Sequence, residues 1–251
     1  MKLPVIFLLI NFLRVINCET NIDDQKIVGG FQISILDASY QGALLYRNSF
    51  ICGCSIISPK YLLTAAHCVH EYRNSLTIRV GSSHAYHGGE VYQVEKVIKH
   101  PLFSITTLNN DFALLKLKNN ITLINGEKEI IKLPRANENI EEGTEVFVSG
   151  FGSTNDLTTN DHTLRGVIVP IVSQSECKRA YPKMITNRMI CAGFEEGKKD
   201  ACSGDSGGPM VRDRTLVGVV SFGIGCALPK MYGVYGKVST VRNWIKAETI
   251  I

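Results

Sequence analysis

All six histidines (His67, His70, His84, His87, His100 and His162) precede the serine of the segment Asp200-Ala201-Cys202-Ser203-Gly204-Asp205-Ser206-Gly207-Gly208-Pro209. That order limits the possible folds more than any other feature of the chain. Glycines beside Ser206 let the backbone turn sharply and bring amide N–H groups close to a reacting carbonyl. Read alone, the segment is equally a polar turn, and Gly204-x-Ser206-x-Gly208 also fits the nucleophile elbow of the α/β-hydrolases. That fold orders its triad serine, acid, histidine. No histidine follows Ser206, so the α/β-hydrolase reading fails.

Two further segments decide against a plain turn: Thr64-Ala65-Ala66-His67-Cys68 and Asn109-Asn110-Asp111-Phe112-Ala113-Leu114-Leu115. A serine hydroxyl is a weak nucleophile at neutral pH and needs a base within hydrogen-bond reach. A neutral imidazole can take its proton, and a buried carboxylate can hold that imidazole in the right tautomer. His67, Asp111 and Ser206 supply these groups in chain order. A core histidine beside a disulfide explains His67 alone, and a turn residue explains Asp111 alone, but neither explains the three together. With Ile27-Val28-Gly29-Gly30 and Val220-Ser221-Phe222-Gly223 in register, the chain from Ile27 to its C-terminus resembles the chymotrypsin-like serine peptidases of trypsin type.

The resemblance implies that Ser206 attacks the scissile carbonyl, His67 moves the proton and Asp111 orients His67. It implies that Ser221 supports the Asp111 carboxylate and that the amides of Gly204 and Ser206 form the oxyanion hole. Asp200 falls six residues before the nucleophile, where trypsin-like members carry an acid at the floor of the specificity pocket. Gly223 and Gly233 match wall positions that lack side chains so that a long substrate residue can enter. A carboxylate at the base of such a pocket favours Lys or Arg, because any other side chain leaves it buried and unpaired. Ser203 stands at the pocket rim, and Leu108 and Tyr181 are expected to line the neighbouring subsites.

At 251 residues the chain suffices for one large all-β unit or two small domains. A net charge of +4, evenly spread, argues for neither nucleic acid nor a membrane surface as partner. Lys2, the apolar run Val5 to Leu13 and the small residue Cys18 read as a secretory signal over 1–18, too short to span a bilayer. Residues 19–26 then form a short activation segment ending in Lys26, ahead of a peptidase domain over 27–251. Cutting after Lys26 would free the α-amino group of Ile27. In the resembling family that ammonium folds inward, pairs with the carboxylate next to the nucleophile, here Asp205, and orders the pocket. Such a buried ion pair is costly to desolvate and serves as a switch between two packings. The expected protein is a secreted, extracellular, monomeric zymogen, needing no cofactor. Its partners are protein or peptide substrates, an activating protease and protein protease inhibitors. Two other readings remain: a narrow processing protease that activates a partner zymogen, and an inactive homologue that only binds ligands.

Short β-like runs recur at 42–45, 62–64, 76–80, 91–98, 112–117, 146–149, 167–172, 216–221 and 233–238, separated by Gly, Asn and Pro clusters. They predict an antiparallel all-β sandwich or barrel. The resemblance implies two packed six-stranded antiparallel barrels with the active site in the cleft between them. The crossover is then expected near Leu133-Pro134. Val241, Trp244 and Ile245 predict a C-terminal helix from about Ser239.

Of eight cysteines, the resemblance pairs Cys52 with Cys68, Cys177 with Cys191 and Cys202 with Cys226. Cys18 leaves with the signal, and Cys54, where the family usually has glycine, is expected as a buried free thiol. Cys52 and Cys54 are two apart, so on a strand they share a face. His84, His87 and Glu90 fall at intervals of three, but Gly88 and Gly89 disfavour a helix that would bring them together. No metal is expected there, calcium included, since Ser82 stands where an acidic ligand is expected. Tyr232 matches a tyrosine of family members that bind sodium. Asn120-Ile121-Thr122 is a glycosylation sequon.

Overall fold

The computed structural model describes residues 30–71, 74–152, 162–197, 204–225 and 228–251. Along Leu76-Thr77-Ile78-Arg79-Val80 the apolar side chains are buried and the polar ones half-buried. That period of two is the signature of a strand with one face on a core. A two-residue strand β1 (Phe31–Gln32) precedes the first barrel. This barrel comprises β2 (Gln41–Tyr46), β3 (Ser49–Ile56), β4 (Tyr61–Thr64), β5 (Leu76–Val80), β6 (Glu90–Lys99) and β7 (Ala113–Leu117). They close in the order β2-β3-β4-β7-β6-β5, each antiparallel to its neighbours.

The second barrel comprises β8 (Glu145–Gly150), β9 (Arg165–Val172), β10 (Met189–Ala192), β11 (Pro209–Arg212), β12 (Thr215–Phe222) and β13 (Gly233–Lys237). These run β9-β10-β13-β12-β11-β8, and β8 returns to β9, with β1 added beside β9. Closure leaves no long unpaired edge in either barrel. The implied architecture of two six-stranded antiparallel barrels is the one found.

Every predicted strand run falls on a strand, while β1, β3, β10 and β11 escaped the sequence reading. In β3 the residues from Cys52 onward are buried without alternation, because one face fills the barrel and the other meets the second barrel. A helix α1 (Gln174–Ala180) was also not foreseen. It buries only Cys177 and so carries no apolar stripe, although its Ser173 side chain caps it by accepting from the Glu176 amide. The C-terminal helix is present as α2 (Arg242–Thr249), entered through a 3₁₀ turn at Val238–Thr240. Ile245 and the preceding Val241 are its buried contacts. Among the described residues no helix is long and apolar enough to cross a membrane.

The connection between barrels changes sides between Ile131 and Lys132, just ahead of Leu133-Pro134, near which the resemblance implies it. The Ile131 amide donates to the Ile56 carbonyl in the first barrel, and the next carbonyl, of Lys132, accepts from the Leu216 amide in the second. The barrels approach closely at two glycines. A Cβ on Gly53 would lie 2.8 Å from the Gly208 Cα, and one on Gly236 would lie 2.6 Å from the Phe112 ring. Both contacts bear on the cleft, since Gly208 follows Ser206 by two residues and Phe112 follows Asp111.

Candidate active site

His67 opens a 3₁₀ turn, His67–Val69, reached from β4 through Ala65 and Ala66, which are fully buried. The Cys52–Cys68 disulfide, with Cα atoms 6.2 Å apart, fastens this turn to β3. The His67 side chain keeps 24% of its surface exposed, whereas that of Asp111 keeps 1%. The carboxylate of Asp111 is nonetheless satisfied. Its Oδ1 accepts from the His67 backbone amide at 2.9 Å, and its Oδ2 lies 2.7 Å from His67 Nδ1. The Ser221 hydroxyl, on β12, donates to the same Oδ2 at 2.6 Å. A carboxylate can only accept, so this contact puts the imidazole proton on Nδ1 and leaves Nε2 with a lone pair.

The segment before Asp111 holds two non-glycine residues in left-handed conformation, Leu108 and Asn110, each with φ of 53°. The Asn110 side-chain amide donates to the Leu102 carbonyl at 3.0 Å, and Asn109 Oδ1 accepts from the Thr186 hydroxyl at 2.9 Å. Asparagine tolerates this backbone region better than most residues. Neither hydrogen bond was read from the sequence, which shows only three polar residues in a row.

Ser206 reaches the same region through backbone contacts. Its carbonyl accepts from the Gly53 amide on β3 at 2.8 Å. The Gly207 amide donates to the Val220 carbonyl and the Val220 amide to the Gly208 carbonyl, one residue from Ser221. Gly207 has φ of 78°, and a Cβ there would lie 2.2 Å from Thr64 Oγ1 and 3.2 Å from the Ala65 amide. Only glycine lets the serine loop press against the segment that leads to His67. Gly204 also has a positive φ, 93°. The amides of Gly204 and Ser206 make no hydrogen bond among the described residues, while those of Gly207 and Gly208 are engaged.

Asp205 is fully buried. Its Oδ1 accepts from the Gly152 amide at 2.9 Å. A Cβ on Gly150 or Gly152 would stand 2.1 or 2.7 Å from that oxygen, so two glycines form the cradle that admits the carboxylate. The sequence reading missed both.

Lys26, Ile27, Asp200, Cys202, Ser203 and Cys226 lie outside the described residues. Of the pocket walls, Gly223 faces open space, with only the Gly225 carbonyl within reach of a hypothetical Cβ, at 3.7 Å. Gly233 begins β13 opposite Ala192. Tyr181 does not line a subsite as expected, because it is 1% exposed. Its hydroxyl instead donates to the Tyr232 carbonyl at 2.6 Å and accepts from the Ile224 amide at 3.4 Å, tying two segments that flank Gly223 and Gly233. Sequence position reports the residue but not the direction of its ring. Leu108 is half-buried.

The second implied disulfide, Cys177–Cys191, joins α1 to β10. Cys54 is free and buried. His84 and His87 stack at 3.7 Å, while Glu90 pairs at 2.6 Å with the buried ammonium of Lys128, so the three do not converge. Among the described residues, the one cluster of potential metal ligands is Cys52, Cys68 and His67, where both sulfurs are bonded to each other. Asn120 is exposed at the end of a bend after β7.

The family model described as Trypsin matches residues 27–245. Trypsin 5G1 of Aedes aegypti is 43% identical over 224 residues, covering 88% of this chain and 84% of the relative. The Vitellin-degrading protease of Bombyx mori is 40% identical over 227 residues, 89% of this chain and 86% of that protein. Trypsin of Phaedon cochleariae is 42% identical over 238 residues, 93% and 92% of the two chains. Family match, double-barrel fold and the His67–Asp111–Ser221 hydrogen bonds agree, and the chain belongs to the trypsin family of serine endopeptidases.

Proposed function

We propose that this protein is a secreted endopeptidase, made as a zymogen, that hydrolyses protein chains after Lys or Arg. The observation that carries the reading is the buried Asp111 carboxylate, which holds His67 by backbone and ring together and is itself held by Ser221. In the proposed mechanism the His67 Nε2 lone pair takes the Ser206 proton as Oγ attacks the scissile carbonyl. Asp111 fixes the tautomer and stabilises the imidazolium. The oxyanion is received by the amides of Gly204 and Ser206, each worth roughly 3–4 kcal/mol in comparable sites. His67 returns the proton to the leaving amine, and water then releases the acyl group from Ser206 by the same route in reverse. Oxyanion amides that make no hydrogen bond among the described residues, beside an oriented histidine, argue against an inactive binding homologue.

Asp200 supplies the charge that selects Lys and Arg, with Gly223 and Gly233 leaving room for the side chain. The segment 1–18 directs export, and cleavage after Lys26 gives Ile27 an ammonium that pairs with Asp205. An activating protease and protein inhibitors are therefore proposed partners, and Asn120 is a proposed glycosylation site. The test is cleavage-site profiling on a peptide library with the activated enzyme and its Asp200→Ser variant. The wild type should cut after Lys and Arg, and the variant should lose orders of magnitude in kcat/KM on those sites. Unchanged preference in the variant would remove Asp200 from the pocket floor.

A further inference from the structure

Away from the cleft, a cavity of about 920 Å³ opens beside the ends of β9, β10 and β13. None of His67, Asp111, Ser206, Gly223 or Gly233 lines it. Its walls bring together two cations, Arg188 and Lys237, with the side-chain amides and hydroxyls of Asn137, Asn139, Gln174 and Thr240.

Among the described residues, neither cation has a counter-charge within ion-pair distance. Lys237 Nζ donates to Asn139 Oδ1 at 2.8 Å, and no carboxylate lies within ion-pair distance of it among the described residues. Burial holds the Lys237 ammonium below its ordinary pKa. The half-buried Arg188 guanidinium makes no hydrogen bond or ion pair among the described residues. Its charge is felt instead by His100, whose imidazole burial and then Arg188 hold below its usual pKa. Glu142 is the one carboxylate among the lining residues; it is exposed and bonds to neither cation. Partly dehydrating two like charges with no anion between them costs stability that a bound anion would return.

We propose that this cavity is a second binding site, for an acidic oligosaccharide bearing sulfate or carboxylate groups. Arg188 and Lys237 pair with the anionic group, Arg188 through its planar fork. The amides and hydroxyls around them answer sugar hydroxyls, with both donors and acceptors. The volume falls within the roughly 300–1,000 Å³ of small-molecule sites, which suits a disaccharide unit. Glu142 disfavours a second anion at its side and so sets the direction of the ligand. The site also touches the first barrel, because Asn109 lines it while bonding to Thr186.

The test is calorimetric titration of the purified enzyme with a sulfated heparin disaccharide, its desulfated counterpart and inorganic sulfate. One sulfated disaccharide should bind per chain, more weakly as salt rises, and the Arg188→Gln/Lys237→Gln variant should lose at least tenfold in affinity. That variant should hydrolyse a small peptide ester at the wild-type rate. On the unaltered protein, the disaccharide should protect Lys237 from acetylation, read by mass spectrometry. Absence of binding at millimolar disaccharide, equal affinity in the double variant, or no protection of Lys237 would each overturn the proposal. Equal affinity for inorganic sulfate would overturn the assignment to an acidic saccharide; the desulfated counterpart, which keeps its uronate carboxylate but has fewer charges, should bind more weakly.

Discussion

Cys54 shows how one side chain depends on the residue opposite. It pairs in register with Gly42 across β2 and β3, and a Cβ on Gly42 would lie 2.7 Å from its sulfur. Ile78 and Leu62 close the same space. Burial pushes the Cys54 thiol far above its ordinary pKa, since the interior disfavours the thiolate. Reactivity belongs to the thiolate. Native protein should therefore resist alkylation at Cys54 through mildly alkaline pH, where an exposed thiol already reacts. Denatured but unreduced mature protein should give one thiol. Cys54→Gly would set glycine opposite glycine; it should keep activity while losing about 1–2 kcal/mol of stability. Rapid native alkylation, or peptide mapping that joins Cys54 to Cys68, would contradict this. The free thiol was legible from the cysteine pattern, but its partner Gly42 was not, because strand register is a long-range property.

At the scale of elements, the sequence reveals strands whose two faces differ and hides those whose faces do not. β5 alternates and was read to the residue. β10, Met-Ile-Cys-Ala, is buried throughout and too short to show a period. β11 starts at a proline directly behind the serine loop and reads as part of that loop. The proposed triad was legible because its chemistry requires particular residue types, whereas its supports are glycines that matter for what they lack. Gly236 on β13 is such a support, for the fully buried Phe112 ring lies against it. Gly236→Ala should force the ring, and with it the neighbouring Asp111, to shift. The expected cost is about 1–3 kcal/mol of stability. A fall in kcat should exceed the change in KM for a small ester. A variant with unchanged melting temperature and kcat would show that the contact relaxes freely.

At the scale of the molecule, each barrel contributes part of one hydrogen-bonded unit, His67 and Asp111 from the first and Ser221 from the second, while the Ser206 carbonyl accepts from the Gly53 amide of the first barrel. Proposed activation acts on the second barrel through Asp205, whose carboxylate already sits in the glycine cradle of Gly150 and Gly152. Lys26→Gln should leave a precursor that trypsin cannot activate, and equal activity of cut and uncut chains would remove the switch. The central claim is that these residues form an acyl-enzyme at Ser206. Its most direct measurement is a pre-steady-state burst with a chromogenic lysine ester, taken before and after cleavage at Lys26. The account predicts one equivalent of product released per activated chain, no burst from the uncut precursor and none from activated Ser206→Ala. A burst that survives in Ser206→Ala, or activated wild-type enzyme that hydrolyses the ester with no covalent Ser206 adduct detectable by mass spectrometry, would contradict it.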